Sequence, residues 1–276
     1  MKLRFCKMHG LGNDFVVVNG LDDPMELEWE QIRRLADRRL GVGCDQLLIV
    51  TRSNGSDADF AYRIYNADGG EVEQCGNGAR CVALFLRDRG LVDGGTISID
   101  TAAGILEMGW EDDGRIRVNM GEPVFEPARI PFQTDRRAVD YELEVNQRIQ
   151  KIGVVSIGNP HAVLRVDDIA SAPVDTLGSA IEWHPRFPNR VNVGFMQVDS
   201  PSSIRLRVYE RGTGETLACG SGACAAVAVG HEQGLLDSRV AVRLPGGELV
   251  ISWLGKGNPI WMTGPAVRVY EGEIEL

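Results

Sequence analysis

The chain has no apolar run near the ~18 residues that a membrane-spanning helix requires. Its longest are short stretches such as Cys81 to Leu86 and Ala223 to Val229. The N-terminal MKLRFCKMHGLGNDF has neither an apolar core segment nor a small-residue cleavage site, so a cytoplasmic location is expected. Cysteine is scarce: six in 276 residues lie far below the ~8–10% of a disulfide scaffold, so these are thiols in a reducing compartment. Basic charge is also short, with 29 Lys plus Arg against 39 Asp plus Glu and a net charge of -10, a balance that repels nucleic acid and anionic membrane. The lysines are few and none lies in a repeated polar block, which leaves pyridoxal phosphate no evident anchor. No G-x-G-x-x-G follows a strand with an acidic residue ~20 positions on, and there is no P-loop. No cofactor is expected. Apolar residues, by contrast, are ample at 43%, enough for a large core, and 276 residues at ~150 per domain predict two domains.

Comparison of the chain with itself supports that division. Arg63-Ile64-Tyr65-Asn66, Gly70-Glu71 and Cys75-Gly76-Asn77-Gly78-Ala79 return as Arg207-Val208-Tyr209-Glu210, Gly214-Glu215 and Cys219-Gly220-Ser221-Gly222-Ala223, at a constant offset of 144 residues. Gly12-Asn13 and Asp45-Gln46 face Gly158-Asn159 and Val191-Asn192 at an offset of 146. Three blocks in one order indicate duplication. The expected domains are residues 1–120, carrying Cys75 and joined by the tail at about 264–276, and residues 121–263, carrying Cys219.

Short β-branched or aromatic runs bounded by Gly, Asp and Asn predict strands in both halves. They are Phe15 to Val18, Leu47 to Val50, Phe60 to Tyr65, Ile97 to Ile99 and Ile116 to Val118, then Val154-Val155, Ala162 to Val166, Val193 to Val198, Ile204 to Tyr209, Val240 to Val242 and Leu249 to Ile251. Glu28 to Arg39 has amphipathic helical spacing through Trp29, Ile32, Leu35 and Ala36. The segments after Cys75-Gly76 and Cys219-Gly220 are apolar on nearly every face, so each forms a buried helix. The expected class is α+β: two pseudo-symmetric halves, each a curled mixed β-sheet or barrel around a central apolar helix.

That placement puts Cys75 and Cys219 at or just before a helix N-terminus, where unpaired N–H groups and the positive dipole end lie. Such a position can lower a thiol from about 8.5 to roughly 3.5–7.5. Gly76, Gly78, Gly220 and Gly222 lack a Cβ, so backbone N–H groups can approach an anion such as a carboxylate. The pairs Asn13/Asn159, Gln46/Asn192 and Asn66/Glu210 form a polar set repeated in both halves, and Arg211 adds a cation suited to bidentate carboxylate binding. These residues suit a small zwitterion held between the halves. Inverting an α-carbon needs a proton removed from one face and returned to the other. Two thiols, one entering as thiolate, can perform both steps, and helix N-termini stabilise the charge developing on the carboxylate. The remaining cysteines, Cys6, Cys44, Cys81 and Cys224, read as small core hydrophobes. The C-x₅-C and C-x₄-C spacings are not those of a zinc finger, so no metal is expected.

The blocks HGLGNDF (His9 to Phe15), GCDQLL (Gly43 to Leu48), CGNGARC (Cys75 to Cys81), GNPHAV (Gly158 to Val163), ACGSGACA (Ala218 to Ala225) and the tail GPAVRVYEGEIEL together resemble the diaminopimelate epimerase family over essentially the whole chain. The resemblance implies a pyridoxal-independent enzyme interconverting LL- and meso-diaminopimelate for lysine and peptidoglycan precursors, with Cys75 and Cys219 as the acid/base pair. It implies that Asn13, Gln46, Asn66, Asn159, Asn192 and Arg211 bind substrate and that Gly76-Asn77 and Gly220-Ser221 hold the reacting carboxylate. By the same resemblance His161 and Glu210 set the protonation of the thiol pair and meet the reacting amino group of the substrate, while Tyr270 lies at a homodimer contact. Ser221 stands where many relatives carry Thr. The alternatives are another cofactor-independent racemase of the same fold, such as a proline racemase, and a phenazine-biosynthesis-like isomerase or non-catalytic amino-acid-binding protein.

Overall fold

Runs such as Phe15-Val16-Val17-Val18 have no polar side, and the fold buries both of their faces. The computed structural model describes residues 2–22, 25–53, 55, 57–72 and 75–276. It divides into two compact units, Met1–Val118 with Gly264–Leu276 and Asn119–Thr263.

The first unit runs β1 (Lys2–Gly10), β2 (Asn13–Asn19), α1 (Trp29–Ala36), β3 (Gln46–Arg52), β4 (Phe60–Asn66), β5 (Glu71–Val72), α2 (Gly76–Asp88), β6 (Thr96–Thr101), β7 (Gly104–Trp110) and β8 (Ile116–Asn119). The pairs β2/β3 and β4/β6 are parallel and the other pairings in this unit are antiparallel. Each parallel pair demands a crossover, and α1 and α2 supply the two. Helix α1 buries Ile32, Leu35 and Ala36 with Val16, Val18, Leu47 and Ile49. Helix α2 covers the opposite face: a Cβ added at Gly78 would touch Phe15, Leu48 and Ile64 at 3.3, 3.4 and 3.5 Å. Neighbouring residues along β2 and β3 thus face different apolar layers, which is why these strands read as continuous apolar runs.

The second unit repeats the plan with β9 (Tyr141–Val145), β10 (Arg148–Ser156), β11 (Pro160–Arg165), α3 (Val174–Glu182), β12 (Asn192–Ser200), β13 (Ser203–Glu210), β14 (Gly214–Thr216), α4 (Gly220–Glu232), β15 (Arg239–Leu244), β16 (Gly247–Ser252) and β17 (Trp261–Gly264). Its parallel pairs are β11/β12 and β13/β15. The last strand, β18 (Val267–Glu275), returns to the first unit and pairs antiparallel with β1, as β9 pairs with β10 in the second. The tail therefore fills in the first unit the place that β9 fills in the second.

Every expected strand is present, and the two apolar segments form helices of 13 residues each. Both helices are buried along nearly their whole length, as their composition requires. The sheets curl around them without closing into barrels, since neither β8 with β18 nor β9 with β17 pairs among the described residues. Strands β1, β7, β9, β17 and β18 and helix α3 had no clear sequence signal. Helix α3 carries Gly178 at its centre, ordinarily a mark against a helix. The glycine is there for close approach: a Cβ would stand 2.6 Å from Cβ of Tyr209 on β13. Among the described residues no helix is long and apolar enough to cross a membrane.

Candidate active site

Parallel pairing sets β2 and β3 side by side with Phe15 opposite Gln46, and antiparallel pairing sets Gln46 opposite Asn66. Asn13, Gln46 and Asn66 are consequently gathered at one end of three adjacent strands. Gln46 Nε2 donates to Asn66 Oδ1 at 2.9 Å. Cys75 occupies the N-cap of α2 in extended conformation, and its Sγ lies 3.6 Å from Asn13 Oδ1. The same oxygen accepts from Asn77 Nδ2 at 3.2 Å, and Asn77 Oδ1 accepts from Arg80 Nη2 at 2.9 Å. The side chain of Asn77 is thus committed inside the fold, which leaves its backbone as the part suited to an anion.

The second unit builds the equivalent cluster. His161 lies opposite Asn192 in the β11/β12 pairing, and Glu210 ends β13. Cys219 is the N-cap of α4, 3.6 Å from Ser221 Oγ. Asn192 Nδ2 donates to the Pro160 carbonyl at 3.0 Å, and its Oδ1 accepts the Arg211 backbone N–H at 3.0 Å. Arg211 Nη1 also donates to the Asn189 carbonyl at 3.1 Å. Thr216 Oγ1 donates to Glu210 Oε1 at 2.5 Å and so fixes that carboxylate.

Electrostatics separate Cys219 from the expectation for a helix N-terminus. Burial first, and then the Glu210 carboxylate, push its thiol well above the ordinary range, outweighing the hydrogen bonds from Ser221 and Gly222. Cys219 is protonated at neutral pH. Cys6 and Cys44 are raised to about 11, chiefly by burial, and Cys81 is raised further by the same cause, as suits core thiols.

His161 is 1% exposed, and burial followed by the Arg211 charge lowers it to about 3. Its Nε2–H donates to Asn159 Oδ1 at 2.9 Å, so Nδ1 carries the bare lone pair, buried without a hydrogen-bond partner. Between pH 6.5 and 3 the unfolded chain binds a proton at this histidine that the folded chain refuses, so stability falls as pH drops through that window. The loss is about 1.4 kcal/mol per pH unit, or roughly 2 kcal/mol from pH 6.5 to 5. Urea melts of His161→Gln, which keeps a donor for Asn159, are expected to lack this component. An unchanged difference in stability between pH 7 and pH 5 would contradict the assignment.

The polar set and both cysteines thus fall into one cluster per unit. Gly78 and Gly222 behave differently from the sequence expectation, because their missing Cβ serves packing. At Gly222 a Cβ would meet Val208 Cγ2 at 3.0 Å and Cys219 Sγ at 3.2 Å. Tyr270 is exposed on β18, edge-on to Phe5 with ring centroids 6.0 Å apart. Sequence reasoning missed Arg80, whose charge is hidden in an apolar helix, and Thr216, which has no distinctive neighbours in the chain. Among the described residues no group of three or more His, Cys, Asp or Glu is placed to hold a metal ion.

The family model for diaminopimelate epimerase matches residues 5–126 and 153–269. A diaminopimelate epimerase of Alkalilimnicola ehrlichii is 60% identical over 278 residues, covering 100% of both chains. Among solved structures, a phenazine biosynthesis protein of the PhzF family from Bacillus anthracis superposes with a TM-score of 0.72 at 19% identity, covering 100% of both chains. A hydroxyproline epimerase from Agrobacterium vitis with bound trans-4-hydroxy-L-proline also reaches 0.72, at 16% identity over 99% of this chain and 92% of that one. Likeness at such low identity establishes a shared duplicated fold. The family match over most of the chain, joined to an end-to-end relative at 60% identity, establishes that this chain belongs to the diaminopimelate epimerase family.

Proposed function

We propose that the protein interconverts LL- and meso-2,6-diaminopimelate by a two-base mechanism in which Cys75 and Cys219 are the catalytic residues. The observation that carries this reading is the cysteine at the N-cap of each of the two equivalent buried helices. In the resting enzyme Cys219, held as thiol by burial and Glu210, is the proton donor. Cys75, as the thiolate left when its own S–H proton departs to solvent, takes the α-proton, its sulfur becoming S–H again, while the C–H electron pair passes to the α-carbon. The Cys219 S–H then delivers its proton to the other face and becomes thiolate. Reversal exchanges the two roles. The first N–H groups of α2 and α4, at Gly76-Asn77 and Gly220-Ser221, stabilise the carboxylate charge that develops meanwhile.

Asn13, Gln46, Asn66, Asn159, Asn192, Glu210 and Arg211 then hold the two amino-acid ends, and the neutral His161 offers Nδ1 as acceptor for a substrate ammonium. The scheme uses no cofactor. A homodimer through the β18 face around Tyr270 and a cytoplasmic location accompany the same reading. A proline racemase is disfavoured because proline has no distal charged group for this polar set. Offering LL-diaminopimelate, L-proline and L-glutamate separately, and following optical rotation and deuterium uptake at the α-carbon in D₂O, tests the assignment. Turnover of proline without diaminopimelate would reverse it.

Gly222→Ala is expected to push the Cys219 sulfur out of line, lowering turnover about tenfold or more with roughly 1–3 kcal/mol of destabilisation. Steady-state kinetics beside a urea melt check both. Unchanged turnover would show that α4 tolerates the added methyl without moving the thiol.

A further inference from the structure

An asparagine side chain can face a thiol with its oxygen or with its NH₂, and the two choices have opposite chemistry. A carbonyl oxygen accepts from S–H and favours the thiol, whereas an NH₂ donates to sulfur and favours the thiolate. Something must select between them at Asn13. Its Nδ2 donates to Asp45 Oδ2 at 3.0 Å and its Oδ1 accepts from Asn77 Nδ2 at 3.2 Å, and together these turn Oδ1 toward Cys75 Sγ. Asp45 is itself held by Arg38 Nη2 at 2.7 Å on Oδ1 and by the Asp14 backbone N–H at 3.1 Å on Oδ2, while its own N–H donates to Asp14 Oδ1 at 2.9 Å.

Asp14 completes the frame. It accepts two hydrogen bonds from Arg38, at 3.0 and 2.7 Å, and one from Lys7 Nζ at 2.5 Å, and Lys7 also donates to the Gly43 carbonyl. Burial opposes ionisation of Asp14, yet the bonds from Arg38 and Lys7 hold its carboxyl far below the usual range. Among the described residues, the charged groups facing Asn13 and its neighbours are Lys7 from β1, Asp14 from β2, Arg38 after α1, Asp45 before β3 and Arg80 from α2.

The second half has no counterpart. At the equivalent positions Asp45 becomes Val191 and Asp14 becomes Pro160, and Asn159 is oriented by His161 through its carbonyl instead. We infer that Asp45 is a positioning residue which fixes the amide of Asn13 so that its carbonyl faces Cys75, a device present in one half of the duplication alone. This inference rests on the proposed role of Cys75.

The test compares Asp45→Ala and Asp45→Asn. The asparagine removes the charge but keeps an acceptor for Asn13 Nδ2. Turnover of LL-diaminopimelate is measured in each, and the iodoacetamide alkylation rate of Cys75 at pH 7 is measured without substrate in a Cys219→Ala background. Asp45→Ala is expected to speed Cys75 alkylation several-fold because the freed amide can donate to sulfur, and to lower kcat about tenfold with KM changed less than threefold because Asn13, part of the proposed substrate-binding set, no longer presents one fixed face to the reacting groups. Asp45→Asn is expected to restore most of both. Loss of kcat with unchanged alkylation, equal acceleration in both variants, or no effect in either would each overturn the inference. If the parent enzyme fails to turn over diaminopimelate, the functional reading fails while alkylation still judges Asp45.

Discussion

Cys219→Ala and Cys75→Ala are each expected to lower epimerisation of LL-diaminopimelate by about a thousandfold or more, the upper part of the range for removing a general acid or base. At Cys219 the effect is large because the thiol is 4% exposed and the nearby carboxylate, Glu210, is tied to Thr216. The two variants should also differ from each other. Cys219→Ala retains Cys75 as the one base and should still exchange the α-proton of one epimer with solvent deuterium without inverting it. Cys81→Ala is the contrasting case, a fully buried thiol in α2 whose loss should cost about 1 kcal/mol of stability and leave turnover intact. Wild-type epimerisation in either site variant would refute the two-base scheme.

Arg80→Leu is expected to destabilise the protein by about 3–5 kcal/mol, because three acceptors lose the guanidinium that serves them. Arg80 is 0% exposed. Its Nε donates to the Pro265 carbonyl at 3.1 Å, Nη1 to the Gly76 carbonyl at 3.3 Å and Nη2 to Asn77 Oδ1 at 2.9 Å. One guanidinium therefore joins the first turn of α2, beside Cys75, to the C-terminal tail. Leucine would fill much of the volume but take the guanidinium from the buried Asn77 Oδ1 and from the part-buried Gly76 and Pro265 carbonyls, at up to ~1–3 kcal/mol each. Turnover should fall with stability, since Asn77 would lose its hold on Asn13. A urea-melt difference under ~1 kcal/mol would show that water or relaxation replaces the guanidinium.

Much of this architecture was legible before any coordinates. Continuous apolar runs such as Leu47 to Val50 announce strands covered on both faces, and segments such as Ala223 to Val229 announce helices with no solvent side. Where the pattern conflicted with the fold, a tertiary contact had overruled a local preference. Gly178 argues against a helix until Tyr209 is seen pressed against α3. Strand β18, exposed along nearly its whole length, has no buried stripe to betray it and is recruited through its pairing with β1.

The amino-acid sequence by itself determined the duplication, the buried helices and the two thiols at their starts, because these depend on residue type and spacing along one stretch of chain. Only the tertiary structure decided that Cys219 rests as a thiol, that Asn13 turns its oxygen to Cys75, and that Arg80 ties the tail to α2. Each of those depends on burial and on partners remote in sequence, Arg80 and Pro265 lying 185 residues apart. Desolvation and hydrogen-bond direction exist only once such groups have been brought together.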